Sequence, residues 1–384
     1  MPRLFGVCAV LVTAFALGGP PLRAQQTRPA ALQLAIERAL TAAPANLQWL
    51  RAPEQAGVRV QRVDVQPTGA GSERISIDLT QRALTYEPSG NIEPLLETII
   101  HATAGSGGAP HVSYRFTIDG LPLEQFLPRL APRSLHSFRS LPAGGAVVVS
   151  PGHGLYWDDV LGTWHLQRPR IQGIVEDLVN WDIARNLRDE LLAGGIKVQM
   201  ARYAERDEVV GPSSNPRWQE AAKYFIQTLG APDEVWNYGA DDYARDINTR
   251  PFYANWIDAA AVVSIHNNGG QESGTETWFD DTNGWQEESR RLAEIVQRHV
   301  VSAIRTQYNG NWVDRGLRSC DGCKGETRLA SRPAVIVEIA YMDTVTPDND
   351  ALRDEAFKRI VAAALRDAIS EWGSVGAVPA EPKD

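Results

Sequence analysis

The fold class follows from the stretch AVVVSPGH at positions 146–153, an apolar run that ends in a glycine and a histidine. Two later runs have the same form, since AVVSI at 261–265 precedes His266 and AVIV at 334–337 precedes Glu338. Segments with apolar residues at helical spacing lie between and after these runs, at 174–193, 286–305 and 351–372. Buried-looking strands that alternate with amphipathic helices predict an α/β domain over 146–372, with a mixed sheet flanked by helices.

Each of the three apolar runs leads to a side chain that can bind a metal or move a proton. His153, His266 and Glu338 come just past the runs, and Glu176 opens the helix after the first run. Open α/β sheets bind ligands outside the carboxyl ends of their strands, so we expect these four side chains to meet at one end of the sheet. Two imidazoles and one carboxylate suit a catalytic Zn²⁺, and a second carboxylate suits a general base. Spacing alone leaves a structural role open for each histidine.

These segments resemble the zinc-dependent N-acetylmuramoyl-L-alanine amidases, the family called amidase type 3. The resemblance is carried, in chain order, by VVSPGHG at 148–154, the helix led by Glu176, GIKV at 195–198 with Arg202, Arg250 with Ala254-Asn255, SIHNN at 264–268, GTE at 274–276 and PAVIVE at 333–338. It implies that His153, Glu176 and His266 bind zinc. It further implies that Glu338 acts as general base and acid while zinc-bound water attacks the amide between N-acetylmuramic acid and L-alanine in peptidoglycan.

Two segments depart from the family pattern. After Glu338 the chain reads IAYMD, where the family commonly has Gly-Phe-Leu-(Ser/Thr)-Asn, so this wall of the cleft is built differently. The stretch 216–248 is longer than a minimal family member requires, and it contains a predicted helix at 218–229 and several aromatic residues. This insertion is either a lid or substrate-contacting wall over the zinc, or a surface excursion that packs on the sheet.

Residues 25–133 predict a smaller α+β domain that precedes the amidase domain. Within it, the segments at 76–79, 99–103 and 114–120 resemble the GerM-type domain of sporulation and envelope proteins. Residues 130–145 are rich in Pro, Arg, Ser and Gly and predict a linker at 134–145, and 373–384 predict a disordered tail.

The first residues predict export. Arg3, an apolar run over 4–17 and a break of glycines and prolines are typical of a signal peptide, here 1–24. We therefore expect the mature protein in a periplasm, or outside the cell at the wall. In such an oxidising compartment Cys320 and Cys323 favour a disulfide, with a redox pair or half a zinc site as alternatives.

The composition of the chain limits the classes of molecule that it is expected to bind. The 384 residues include 38 Lys plus Arg and 47 Asp plus Glu, for a net charge of −9, which argues against nucleic acid. No apolar stretch reaches the roughly 20 residues that span a bilayer, so no membrane span is expected after signal cleavage. Peptidoglycan is the expected substrate, and an envelope protein could bind the N-terminal domain or 216–248. The alternatives are a zinc peptidase acting on stem peptides and a wall-binding module without catalysis.

Overall fold

The protein is represented by a computed structural model that describes residues 22–46, 58–69, 71–80, 83, 92–104, 109–127, 145–159, 161–239 and 241–374. The predicted signal peptide, linker and tail lie largely outside these residues. Across the described ranges, no helix combines the length and apolar character needed to span a bilayer.

One large sheet organises the described part of the chain. Its central strands are β14, β11 and β5, which run parallel to one another. The strands, in chain order, are β1 (Val60–Gly69), β2 (Ser72–Leu79), β3 (His111–Ile118), β4 (Leu121–Pro122), β5 (Val147–Pro151), β6 (Leu155–Asp158), β7 (Thr163–Leu166), β8 (Arg170–Ile171), β9 (Ile174–Val175), β10 (Val198–Met200), β11 (Ala261–Asn268), β12 (Thr275–Asp280), β13 (Asp314–Cys320) and β14 (Ala334–Tyr341).

Helices cover both faces of this sheet, which confirms the predicted fold class. They are α1 (Leu22–Asn46), α2 (Glu93–Ala104), α3 (Glu176–Ala193), α4 (Ala222–Thr228), α5 (Asp233–Trp236), α6 (Asp242–Trp256), α7 (Gln286–Gln307), α8 (Gly325–Arg328), α9 (Asp350–Arg353) and α10 (Glu355–Ser374).

The sheet order is β1-β2-β3-β13-β12-β14-β11-β5-β10. Strand β3 pairs in parallel with β13, and β12 pairs antiparallel with β14. The N-terminal strands β1 to β3, with β4 paired to β3, therefore extend the same sheet that carries the C-terminal strands. Their apolar core includes Trp278 and Ile336 from β12 and β14, together with residues of α1 and α2.

The alternation along β14 decides which side of the sheet carries the site. Successive residues of a strand face opposite sides. Val335 and Val337 pack into the core formed with α3, α7 and α10. Ala334 and Ile336 pack on the other side, with α4 to α6 and with the N-terminal segment respectively. Glu338 continues this second set, so it points to the side covered by α2 and α6.

Several predicted element bounds were wrong. The helix expected at 218–229 begins only at Ala222, because Glu220 adopts an extended conformation after a short 3₁₀ turn. The helix expected at 351–372 is divided into α9 and α10, since Asp354 is extended with φ −86° and ψ 117°. Both errors arise because apolar spacing continues across one or two extended residues and does not reveal them.

Candidate metal and catalytic site

His153 lies in the tight loop after β5, held between two glycines. The backbone φ angle of His153 is +63°, which lies in the left-handed region that few residues other than glycine adopt. A Cβ on Gly152 would lie 2.3 Å from His266 Cε1, so only glycine allows the two histidines to approach. Their rings are edge to face, with centroids 4.7 Å apart and planes at 88°.

His266 and Glu338 are cross-strand partners. The parallel register of β11 and β14 places these two residues opposite each other. Both strands continue to Asn268 and Tyr341, so the two side chains lie within the strands near their carboxyl ends, and the expectation that each comes after its strand was wrong. The imidazole of His266 is tolerated inside its buried strand because it has partners in the site, whereas Glu338 Oε2 has none among the described residues.

Glu176 is the first residue of α3 and faces both histidines. Its Oε1 atom lies 3.2 Å from His153 Nε2 and 3.3 Å from His266 Nδ1. The side-chain amide of Asn180 and the backbone N–H of Asn267 donate to the same oxygen, each at 3.1 Å. One donor atom from each of His153, Glu176 and His266 lies within 4.8 Å of the others, and all three residues are buried. The geometry of this donor set could hold a metal ion.

A network on the far side of the two imidazoles fixes their orientation. Gln167 Oε1 lies 3.0 Å from His153 Nδ1, and Gln167 Nε2 donates to Asp246 at 2.8 Å. Glu326 Oε1 lies 3.0 Å from His266 Nε2 and also accepts from Arg250, which pairs with Asp246 as well. We call these four residues, Gln167, Asp246, Arg250 and Glu326, the imidazole network.

The imidazole network sets the histidine tautomers. An amide oxygen and a carboxylate oxygen can only accept, so His153 Nδ1 and His266 Nε2 carry the hydrogens. His153 Nε2 and His266 Nδ1 are then the nitrogens that face Glu176. Histidine ligands of metals ordinarily donate their other N–H to a carboxylate or carbonyl in this way.

The charges around His266 favour a cation. Burial alone would lower the pKa of His266, but Glu326, Glu176 and Glu338 outweigh it and raise that pKa to about 10. Burial together with Arg168 lowers the pKa of His153, which keeps that ring neutral and able to bind a metal. Three acceptor atoms that converge in a negatively charged, buried position fit a divalent cation, which brings more positive charge than one proton.

Comparison with known protein families gives the same relationship to the amidases. The family described as N-acetylmuramoyl-L-alanine amidase matches residues 147–371. The chain belongs to this family. The matched range contains all four of His153, Glu176, His266 and Glu338, and the predicted resemblance of 146–372 to the N-acetylmuramoyl-L-alanine amidases is confirmed.

The individual proteins that resemble this chain are only distantly related to it in sequence. The Bacillus subtilis (strain 168) protein YqiI, described as uncharacterized, is 32% identical over 136 residues, which cover 35% of this chain and 61% of that protein. Among solved structures, Ami1 from Mycobacterium smegmatis is 19% identical, with 62% of this chain and 100% of that chain covered and a TM-score of 0.43. AmiC2 of Nostoc punctiforme is 20% identical, with 62% and 99% covered and a TM-score of 0.40.

Glu338 of this family member is buried beside the donor set. Burial raises its pKa to about 8, with Glu176 acting in the same direction and His266 and Lys324 opposing it. Among the described residues, no hydrogen bond reaches its Oε2 atom. A buried carboxyl group with a free oxygen and a raised pKa can accept and return a proton near neutral pH.

A cavity of about 590 Å³ opens beside these four side chains. The N-terminal helices α1 and α2 line one wall, including Ala39, Glu97 and His101, and residues 267–271 line another. None of the described residues of 216–248 lines it. The IAYMD segment that departs from the family pattern supports the second wall, because Asp343 Oδ2 accepts from the backbone N–H groups of Gly270 and Gln271 at 2.8 and 3.0 Å.

The insertion at 216–248 and the two cysteines both connect to the site. In the insertion, Tyr243 accepts a hydrogen bond from Arg168 at 2.7 Å, and Asp246 belongs to the imidazole network. Cys320 and Cys323 form a disulfide at the end of β13. The loop after this disulfide leads directly to Lys324 and Glu326, so it connects to the site.

Sequence reasoning missed most of the supporting residues. Gln167 follows only the short strand β7, Glu326 lies in the one-turn helix α8, and neither belongs to a motif. Asp246 and Arg250 are four residues apart on α6, a spacing that predicts an ion pair but not its place beside a histidine. Asp177 was also missed, although its carboxylate accepts from the backbone N–H groups of Gly154, Gln167 and Arg168 and so holds the His153 loop in place.

Proposed function

We propose that the chain hydrolyses the amide bond between N-acetylmuramic acid and L-alanine in peptidoglycan, with Zn²⁺ as its metal. One observation carries the proposal: His153, Glu176 and His266 turn their metal-binding atoms to one point beside the buried Glu338. Imidazole nitrogen and carboxylate oxygen are the ligands of catalytic zinc sites, which keep a further position open. The family match supports the choice of bond.

The three ligands would hold the metal, and the rest of the site would keep them ready to bind. When bound, Zn²⁺ supplies a Lewis acid that polarises a carbonyl group and lowers the pKa of water. The imidazole network holds the far-side nitrogens of both rings, so that His153 Nε2 and His266 Nδ1 are aimed at Glu176. Asn180 and the backbone of Asn267 keep the Glu176 carboxylate in place.

Glu338 would move the proton that the reaction requires. Its unpartnered Oε2 accepts a proton from the attacking water and then donates it to the nitrogen of L-alanine as the amide bond breaks. The surrounding burial favours the neutral acid, so the carboxyl group gains a proton readily.

The cellular setting is part of the same proposal. The predicted signal peptide at 1–24 and a substrate in the cell wall both support a location outside the cytoplasm, in a periplasm or at the cell wall. The GerM-like segment 25–133 and the catalytic segment 146–372 would form two functional units, joined by 134–145. An envelope protein would bind through 25–133 or through the insertion at 216–248.

Mass spectrometry of peptidoglycan digested by the purified protein tests this function. We expect release of free stem peptides that begin with L-alanine, and loss of that release in the presence of a chelator. Release of free D-amino acids would instead indicate the stem-peptide peptidase, and binding without any cleavage would indicate the wall-binding module.

Two variants separate the roles of the residues. Glu338→Ala should keep its zinc while hydrolysis falls by about 10²–10⁴-fold, the usual contribution of a general acid–base group. His266→Ala should lose both the zinc, measured as metal per chain, and the hydrolysis. A wild-type protein that is active without zinc would contradict the proposal.

A further inference from the structure

Helix α2, which lies outside the region matched by the family, reaches the site through two glutamates. Glu93 and Glu97 are four residues apart and so lie on the same face of the helix. Both line a small cavity that also borders His153, His266 and Glu338. The N-terminal segment is therefore in direct contact with the site.

Glu97 binds two cations at once. Its Oε1 accepts from Lys324 Nζ at 2.6 Å, and its Oε2 accepts from Arg168 Nη2 at 3.2 Å. The side chains of Lys324 and Arg168 are only 8% and 12% exposed, so water screens these ion pairs much less than pairs at the surface. Burial alone would raise the pKa of Glu97, but Lys324 and Arg168 outweigh it and lower that pKa well below its usual range.

Each of these cations also faces one of the carboxylates of the site. Arg168 Nε lies 3.5 Å from Glu176 Oε2, the oxygen turned away from the histidines. Lys324 lines the same small cavity as Glu338, and its positive charge opposes the rise in the pKa of Glu338. Glu97 thus binds two cations, of which Arg168 lies close to Glu176 and Lys324 lines the same small cavity as Glu338.

We propose that Glu97 of α2 is a positioning residue for the site. Together with Tyr243, it holds Arg168 so that Glu176 presents Oε1 to the metal, and it holds Lys324 beside Glu338. Glu93 supports the same link, because its carboxylate accepts from the backbone N–H of Gly325 at 3.0 Å, next to Glu326 of the imidazole network. The N-terminal segment would therefore complete the catalytic site, in addition to any role in binding a partner.

The consequence rests on the proposed function and is specific. Without the Glu97 charge, Arg168 and Lys324 would each lose an anionic partner and would shift toward Glu176 and Glu338, although Tyr243 would still bind Arg168. A shifted Glu176 weakens the metal site, and a Glu338 held by a closer cation is a poorer base. Substrate contacts made elsewhere in the large cavity would remain, so KM should change less than kcat.

Glu97→Gln in the full-length protein tests this role, because glutamine keeps the size of the side chain and removes its charge. We expect the zinc dissociation constant, measured by competition with a chelating dye, to rise by about tenfold, within the range known for residues that support metal ligands. We expect kcat on muropeptides to fall by about tenfold with KM nearly unchanged. Glu97→Asp, which keeps the charge, should recover part of both quantities.

The matched control is Glu124→Gln, which changes an exposed glutamate of the same N-terminal segment. It should leave zinc affinity and kcat at wild-type values. If Glu97→Gln lowers only the melting temperature, while zinc affinity and kcat stay unchanged, Glu97 is merely structural and the positioning role is overturned.

The two proposals fail in different ways. If the wild-type chain binds zinc but cleaves no muropeptide, the proposed reaction is wrong, and the zinc affinity of Glu97→Gln still decides the positioning role. If the wild-type chain hydrolyses muropeptides and Glu97→Gln matches it in kcat and zinc affinity, only the positioning role is wrong. A wild-type chain that neither binds zinc nor hydrolyses would overturn both.

Discussion

The candidate site has two sides that are built from different interactions. On the histidine side, hydrogen bonds of 3.0 Å to the buried imidazole network fix one nitrogen of each ring. On the α2 side, long cationic side chains connect Glu97 to Glu176 and Glu338 through charge. Hydrogen bonds with one acceptor impose direction, whereas ion pairs mainly balance charge. The histidine side therefore decides where the metal-binding atoms point, and the α2 side decides how strongly the carboxylates are held.

The largest effect should come from breaking the histidine side directly. Gly152→Ala would place a Cβ 2.3 Å from His266 Cε1, so His266 must move. Displacement of a reacting group by about 1 Å can cost about 10²-fold in rate, and we expect at least that loss in kcat/KM. Steady-state kinetics on muropeptides would measure it.

Gly284→Ala is the matched control for that substitution, since a Cβ there would meet no heavy atom within 4 Å. It should leave kcat/KM unchanged. A Gly152→Ala variant with wild-type activity would show that the close approach of the two histidine loops is not needed for catalysis.

A smaller effect should follow from weakening the imidazole network. Glu326→Gln removes the charge that faces His266 Nε2, so the imidazole becomes a weaker ligand. Loss of such a partner typically costs about 10–100-fold in metal affinity, and we expect a rise of that size in the zinc dissociation constant.

Glu294→Gln, at an exposed ion pair on α7, serves as the control for charge removal and should not change zinc affinity. If Glu326→Gln also left zinc affinity unchanged while Glu97→Gln lowered it, the roles assigned to the two sides would be reversed.

The smallest effect on the site should come from a change at the pairing of β3 with β13, which joins the N-terminal strands to the rest of the sheet. We call this pairing the strand seam. Burial raises the pKa of Asp321 to about 7, although Arg115 and the backbone N–H of Phe116 oppose it. The folded state thus binds this proton more tightly than the unfolded state does. Its contribution to the free energy of unfolding is fully present at low pH and is lost as the pH rises from about 4 to about 7.

Asp321→Asn should remove this dependence, because an amide does not ionise. The free energy of unfolding of the variant relative to wild type should rise by about 1.4 kcal/mol for each pH unit between about pH 4 and pH 7. Urea unfolding at several pH values would measure it. Zinc affinity should stay at the wild-type value, and a change would mean that the seam and the metal site are coupled.

The main residues of the site were predictable, because apolar runs before His153, His266 and Glu338 carry a local signal for strands. Parallel strands bring their ends to one edge, so the meeting of these residues follows from the fold class. Gln167, Glu326 and Glu97 carry no such signal. Each is a common polar residue, and its role depends on which distant side chain lies within hydrogen-bonding distance.

The N-terminal segment shows the same division. Its strands and helix were evident from apolar spacing, and the structure places α2 at Glu93–Ala104. The pairing of β3 with β13 was not predictable, because it joins residues about two hundred positions apart in the chain. Any parallel pair with suitable apolar faces would satisfy the sequence pattern equally well.

The amino-acid sequence by itself determined the α/β class, the family and the four residues that meet at the strand ends, since periodicity and motifs are local properties of the chain. Only the tertiary structure decided the tautomers of the two histidines, the cations behind Glu176 and Glu338, and the contact of α2 with the site. Those features depend on distances between segments that are remote in sequence, and such distances are set by how the sheet orders its strands and by which helix covers each face.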